Sequence, residues 1–352
     1  KESVVNDHLI KMLVTLLLLA TPTAWTFDVL ASPKSQLRSF FAGEDSSLFV
    51  DPKTKEPLTQ TARFVGDLKV SYRNPRTGAT FRKNGAYVDL VSEAQAPSLE
   101  RLRDDLFALA RRSPTELVQV QTFRSPLTAF LYERGWRDSF TRNGFPGPDE
   151  EFAEFREFAL DGLETDAVVL DLSCGTGLFT RRIYECLSGD ARLLGADYSE
   201  AMLLETQRRF RNKFSGTVPE LVRVDVAALP FADASIDAIH CGAALHCYPD
   251  LEAGLAEILR VLKPGGKFFA TTFLNGAMGT SSSRTTGFRF FDLDELRRLL
   301  SDAGFSESAI DVRREGSFCA VAKCSRSDQD VVVAPPREEE EEEEEDPTGK
   351  EE

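Results

Sequence analysis

Three acids and a glycine turn are spaced through the second half of the chain as a nucleoside-binding site would need them. Asp171 closes the apolar run VVLDL, and the turn SCGTG follows before a helical pattern opens. Gly175 and Gly177 let backbone approach a ligand where a Cβ would collide, with Ser173 and Cys174 in the same turn. Asp171 stands where a carboxylate can accept from an α-amino group. Asp197 closes the next apolar run, 22 residues after Gly175, where one carboxylate can take both hydroxyls of a ribose; Tyr198, Ser199 and Met202 follow it. Met202 either touches the nucleoside or packs into the core. Asp225 closes a third run and can accept from an adenine amino group, with Val226 and Leu229 beside the base and Ala243 after a fourth run completing the set. Acids at the carboxyl ends of successive strands are where open α/β sheets hold ligands. The turn reads D-x-x-x-G-x-G and lacks the third glycine of a dinucleotide fingerprint.

The elements that must position these residues follow a regular alternation from about residue 150. A helix covers 150–160, a strand 167–172, and a helix 178–188. The run RLLGA leads to Asp197, and Ser199 caps a helix running to about 212. Strands follow at 221–224 and 236–242. Asp250 caps the helix LEAGLAEILRVL, whose Leu251, Leu255, Ile258, Leu259 and Leu262 make one apolar face. Lys263-Pro264-Gly265-Gly266 reads as a breaker before a fifth strand, KFFATT. Asp292 and Glu295 form a capping box, and strands near 309–315 and 317–323 close the sheet, with one antiparallel strand expected at its edge. Alternation of this kind implies a mostly parallel sheet with right-handed crossovers. Upstream, 46–95 reads as a small β-rich unit with Asn-Pro, Thr-Gly and Asn-Gly turns, and 96–149 as a helical connecting or cap region rich in aromatics and arginine.

Composition narrows the partners. Hydrophobic residues make up 42% of the 352, enough for a buried α/β core. The net charge is −15, and residues 337–352, with eight consecutive glutamates, carry −9 of it, leaving −6 elsewhere. A run like Glu338–Glu345 repels itself and reads as a disordered acidic tail from about 326. No basic face is evident, which weighs against nucleic acid. The six cysteines, at 174, 186, 241, 247, 319 and 324, form no CxxC pair, so no metal site is expected. Residues 1–45 read as a targeting presequence: Met12 as a start, the nine apolar residues 12–20 as a signal core, and Ala24-Trp25-Thr26 as a cleavage region before Phe27. The nine-residue run is too short to span a bilayer, so no transmembrane segment is expected in the mature chain. Signal core, phenylalanine and a mildly basic stretch together resemble the bipartite presequence of algae with secondary plastids, which implies a chloroplast address.

The motif set DLSCGTG, GADYSEAML, DVAALPF, SIDAIHCGAALHCY and RVLKPGGKFFATT resembles the class I methyltransferases of the type-11 group, similar to those of ubiquinone and menaquinone biosynthesis, over roughly 165–325. SPLTAFLYERGWRDSF, GFPGP and GAALHCYPD are similar to a plastid, plastoglobule-type methyltransferase family of plants and algae and extend the match to about residue 47. The resemblance implies a Rossmann-like seven-stranded sheet with helices on both faces over 150–325, S-adenosyl-L-methionine as cofactor, and a small-molecule acceptor, with a prenylated quinol as the guess. It also implies peripheral contact with a membrane or lipid droplet. Relatives open with a cysteine-ligated zinc ribbon; LFVDPKTKEPLTQ has no cysteine, so a metal-free ribbon is expected. The insertion after the fifth strand is shortened to FLNGAMGTSSSRTTGFRFF. Two other functions stay open: an rRNA base methyltransferase and an inactive cofactor-binding scaffold.

With a sulfonium methyl donor the protein must align a nucleophile and exclude water. His246, just past the fourth strand, is the candidate base, with a pKa range suited to neutral pH, or else a positioning or packing residue. Tyr248 either orients substrate or forms a hydrophobic wall. Tyr132, Arg134, Trp136 and Arg137 are candidates to line the pocket, the arginines meeting an anionic or carbonyl group or serving a structural segment. His240 alternates inside the fourth strand and reads as core.

Overall fold

A computed structural model describes residues 48–65, 67–91, 140–141, 144–214, 218–276 and 288–330. The presequence, most of the connecting region, the segment 277–287 and the acidic tail fall outside the described residues.

The strongest apolar runs make the centre of the sheet. β5 (Val168–Leu172) is flanked by β6 (Arg192–Asp197) and β8 (Ile236–Cys241), each in parallel register. β7 (Glu220–Arg223) extends the sheet beyond β6, and β9 (Leu262–Phe273) extends it beyond β8. Side chains alternate across the sheet, and two apolar clusters result. Leu170, Leu194, Val222, Ile239 and Phe268 fill one, and Val169, Leu193, Ala238, Phe269 and Val321 the other. Five helices are described: α1 (Pro148–Phe155, continued by a π turn over Arg156–Leu160), α2 (Leu178–Cys186), α3 (Glu200–Lys213), α4 (Leu251–Val261) and α5 (Leu293–Asp302). The caps form where expected. Ser199 accepts from the Met202 amide, Asp250 accepts from the Ala253 amide, and Asp292 with Glu295 makes the capping box.

Three expectations are corrected. The antiparallel strand is not at the edge. β11 (Cys319–Ser325) inserts between β9 and β10 (Ile310–Glu315), pairing antiparallel with both, so β10 is the outer strand. The Lys-Pro-Gly-Gly segment does not precede the fifth strand but lies within it. Gly265 takes φ +81°, the β8–β9 register shifts there, and the Gly265 amide donates to the Arg326 carbonyl at 2.7 Å. A bulge thus absorbs the glycines.

The third correction concerns the N-terminal unit, which is no separate ribbon. β1 (Thr59–Val65), β2 (Asp67–Arg73), β3 (Thr80–Asn84) and β4 (Tyr87–Asp89) run antiparallel in sequence, and β4 then pairs parallel with β7. Seven strands become eleven, in the order β1-β2-β3-β4-β7-β6-β5-β8-β9-β11-β10. The seam is polar and apolar at once. Arg223 meets Asp89 at 3.1 Å, Lys55 donates to Glu257 at 2.8 Å, and the Phe49 and Phe231 rings pack 5.9 Å apart. Within the unit, hydrogen bonds hold two loops together. Asn74 donates to Asp51 at 2.8 Å, and its own carbonyl oxygen accepts from the Arg76 amide. Such Asx turns satisfy backbone donors locally. Among the described residues, no three His, Cys, Asp or Glu side chains group as metal ligands, and no helix is long and apolar enough to cross a membrane.

Candidate active site

The candidate residues gather at the carboxyl ends of β5, β6, β7 and β8, where the parallel register brings the strand ends side by side. The turn after β5 is left-handed at three of five positions: Ser173 at φ +57°, Gly175 at +56° and Gly177 at +74°. Gly177 is required for a reason other than ligand approach. A Cβ there would lie 2.5 Å from Thr206 Cγ2 of α3. The Gly175 carbonyl accepts from Thr206 Oγ1 at 2.8 Å, so α3 clasps the turn from behind.

Asp197 braces the turn from the next strand. Its two oxygens accept from the Gly175 amide at 2.9 Å and the Ser199 amide at 2.8 Å. Burial pushes its carboxyl up to about 6, against the pull of those amides. Asp225 accepts from the Ala227 amide at 3.0 Å and keeps part of its surface open, as does Val226, which packs on Gly254 of α4.

Several side chains play other parts than expected. Asp171 is buried and engaged internally: one oxygen accepts from Thr180, the other meets His240 Nδ1 at 2.8 Å. Cys174 turns inward onto Leu203 and Leu221, leaving its backbone to face the turn. Ser199 is spent on its helix cap, while Met202 and Leu229 are buried in the interior. Tyr198 lies under the Arg223 guanidinium, 5.2 Å from ring centroid to Cζ. Ala243 takes φ +53°, and its amide donates to Thr271 Oγ1 at 2.8 Å. Tyr248 presents its hydroxyl to Ser173 Oγ at 3.0 Å and to Cys241 Sγ at 3.1 Å, so it braces the cofactor-side turn. Tyr132, Arg134, Trp136 and Arg137 lie outside the described residues.

His246 is 5% exposed among Phe273, Phe288 and Phe290, with centroids at 4.8, 5.4 and 6.4 Å. Burial alone lowers its pKa to about 3, so the ring is neutral at physiological pH. The expectation of a base tuned to neutral pH is corrected: a ring whose conjugate acid is this acidic orients a proton better than it removes one. Its Nδ1 has no hydrogen-bond partner among the described residues. His240 sits where expected, in the core, but not as simple packing: Glu151 and Asp171 border it, and Thr271 and Thr180 donate to those carboxylates. Sequence reading missed Glu151, Thr180 and Thr271. The one available signal was an acid within the helix just ahead of β5.

A mostly parallel sheet ordered 3-2-1-4-5-7-6 over β5–β11, with β11 antiparallel and acids at the ends of three adjacent strands, defines a nucleoside-cofactor α/β protein. Residues 169–266 match the family model described as a methyltransferase domain. The chain is 33% identical over 279 residues to an uncharacterized chloroplastic methyltransferase of Arabidopsis thaliana, covering 75% of this chain and 74% of the relative. A second such protein of Arabidopsis thaliana is 44% identical over 163 residues, 45% of this chain and 44% of its own length. A demethylmenaquinone methyltransferase of Desulfitobacterium hafniense is 36% identical over 98 residues, 28% of this chain and 39% of the relative. The chain therefore belongs to the methyltransferase family that contains the Arabidopsis proteins. It is an S-adenosyl-L-methionine-dependent enzyme.

Proposed function

We propose that the chain methylates a small, apolar acceptor carrying a hydroxyl or an acidic carbon, within a plastid. The observation that carries this reading is His246, a neutral imidazole packed against three phenylalanines, whose buried Nδ1 has no hydrogen-bond partner among the described residues. The phenylalanines pack on the imidazole itself and make an apolar wall that suits a flat apolar ring, and Nδ1 is that wall's polar handle. The names of the relatives support the class and the compartment: two chloroplastic plant proteins, and bacterial enzymes acting on demethylmenaquinone. A quinol-like acceptor suits both.

The donor set fits the cofactor. Asp197, at the end of β6 and only half-buried, is assigned to the ribose hydroxyls, and Asp225 with Val226 to the adenine. The Ser173–Gly177 turn is assigned to the amino-acid end, with Cys174 contributing backbone only, and Ala243 to the wall beyond β8. The bound cofactor supplies an electrophilic methyl group, so this chain's own residues need only align the acceptor and keep water out. His246 Nδ1 accepts from the acceptor hydroxyl and orients it toward that methyl, and the hydroxyl proton passes by way of Nδ1 to water as the product leaves.

Calorimetric titration of S-adenosyl-L-methionine tests the site. Asp197→Ala should weaken binding about 10- to 100-fold, the loss of charge-assisted hydrogen bonds. In the wild type, affinity should fall as pH drops through about 6 and Asp197 takes up its proton. The slope is about tenfold per unit. Equal affinity in wild type and variant sinks the assignment. Transfer of labelled methyl to reduced prenyl quinones, with ribosomal RNA in parallel, tests the acceptor class.

A further inference from the structure

His240 faces Asp171 across the β5–β8 pair as its register partner, and both are buried. The His240 ring is edged by two carboxylates. Nδ1 lies 2.8 Å from Asp171 Oδ1, and Nε2 lies 3.6 Å from Glu151 Oε1 of α1, within ion-pair reach but longer than a hydrogen bond. Its faces are aromatic: Phe179 of α2 at 4.3 Å, Phe155 of α1 at 5.0 Å and Phe269 of β9 at 5.9 Å between centroids. Carboxylates on the edge favour an imidazolium, and the stacked Phe269 face adds to that preference. Burial opposes the charged ring, yet Asp171 and Glu151 together hold its pKa up at about 9. The charged groups facing it are Asp171 from β5 and Glu151 from α1. β9 contributes Phe269 and Thr271, and α2 contributes Phe179 and Thr180.

The cluster does not end at these charges. On one side, Asp171 stands two residues before Ser173, the first left-handed residue of the cofactor turn. On the other, Glu151 Oε1 accepts from Thr271 Oγ1 at 3.1 Å, and that oxygen accepts from the Ala243 amide at 2.8 Å. Ala243 is the second non-glycine residue in the left-handed region beside the site. Gly242 lies against the same groups, and a Cβ on it would sit 2.9 Å from Glu151 Oε1 and 2.9 Å from His240 Cε1. Left-handed backbone at a β-carbon-bearing residue persists only where its surroundings over-determine it. One ion cluster here reaches both such residues.

We infer that His240, gripped by Asp171 and Glu151, is a positioning residue that ties the Ser173 turn to the Ala243 turn, and that cofactor affinity depends on the ring staying charged. This rests on the cofactor reading of the strand ends. Deprotonation of His240 removes the attraction that holds α1 and β5 together, and the two turns relax independently.

The test is S-adenosylhomocysteine binding to the full chain from pH 6 to pH 10, in the wild type and in Glu151→Gln. The glutamine retains an oxygen for Thr271 and removes the charge. Wild-type affinity should fall on the alkaline side, and the fall should begin at least one pH unit lower in Glu151→Gln. A one-unit shift corresponds to about threefold weaker binding midway between the two transitions and approaches about tenfold above both. A merely structural Glu151 lowers affinity equally at every pH, and parallel profiles overturn the inference. The His240 ring signal in the wild type, followed by NMR, gives a check that needs no variant. A ring that remains charged through pH 8 supports the inference, and one that titrates near 6.5 overturns it. Wild-type protein that fails to bind S-adenosylhomocysteine overturns the cofactor-site reading and this inference together.

Discussion

Two histidines six positions apart in the chain occupy sites that look alike and behave oppositely. His240 and His246 are both buried, and each is ringed by three phenylalanines. Yet one is held charged with its pKa at about 9 and the other is held neutral with its pKa at about 3. Depth and aromatic company are shared, so neither decides the outcome. What differs is charge at the edge of the ring: Asp171 and Glu151 border His240, whereas burial alone acts on His246, and one nitrogen of each ring, Nε2 of the first and Nδ1 of the second, lacks a hydrogen-bond partner among the described residues. The charged ring organises backbone behind the site, whereas the neutral one is left with an unused nitrogen on the acceptor side.

The contrast is broken most forcefully by exchanging each ring for phenylalanine. His240→Phe strands two carboxylates in the interior and should cost about 3–5 kcal/mol. His246→Phe removes no internal hydrogen bond to Nδ1 and should change stability by under about 1 kcal/mol, while slowing methyl transfer. Urea unfolding of both variants decides it. A His240→Phe protein as stable as wild type would mean the cluster holds nothing.

The pH dependence of stability sharpens the comparison further. His240 has a folded pKa above its unfolded value of about 6.5. Its contribution is therefore complete below 6.5 and is lost as pH rises through about 9, amounting to about 3 kcal/mol. His246 has the opposite sign, because its folded pKa is depressed. The unfolded chain takes up that proton first, so stability falls as pH drops below 6.5. Unfolding free energies at pH 5, 6.5 and 9.5 should thus lose the acid-side slope in His246→Phe and keep the alkaline one. A further small effect belongs to the tyrosine beside the turn. Tyr248→Phe removes the hydroxyl joining Ser173 to Cys241 and should cost about 1 kcal/mol by thermal melting.

Much of this was legible in the chain because it is local. The glycine turn, the acid ending each strand, the Ser199 and Asp250 caps and the Asp292–Glu295 box all declare themselves within a few residues. What stayed hidden is what joins distant segments. Asp89 and Arg223 meet across 134 positions and Glu151 and Thr271 across 120, and neither pairing leaves a periodic trace. The β-rich character of 46–95 was readable, but its pairing with β7 was not, because an edge strand's partner is not written in its own alternation. Lys263-Pro264-Gly265-Gly266 misled for the converse reason. Its residue types signal a stop, and the β8–β9 ladder overrides them with a bulge. His240 read as core from alternation alone, which reports depth and says nothing of charge.

The parallel seam between β4 and β7 carries a consequence for solubility. Without the N-terminal hairpins, β7 would become the outermost strand, with a row of bare amide and carbonyl groups along Glu220–Arg223. An open ladder beside a buried apolar layer recruits another copy of itself. The four N-terminal strands therefore cover that ladder and move the open edge of the sheet out to β1, and a fragment cut to the methyltransferase motifs alone should self-associate more than the full chain does, as read by sedimentation.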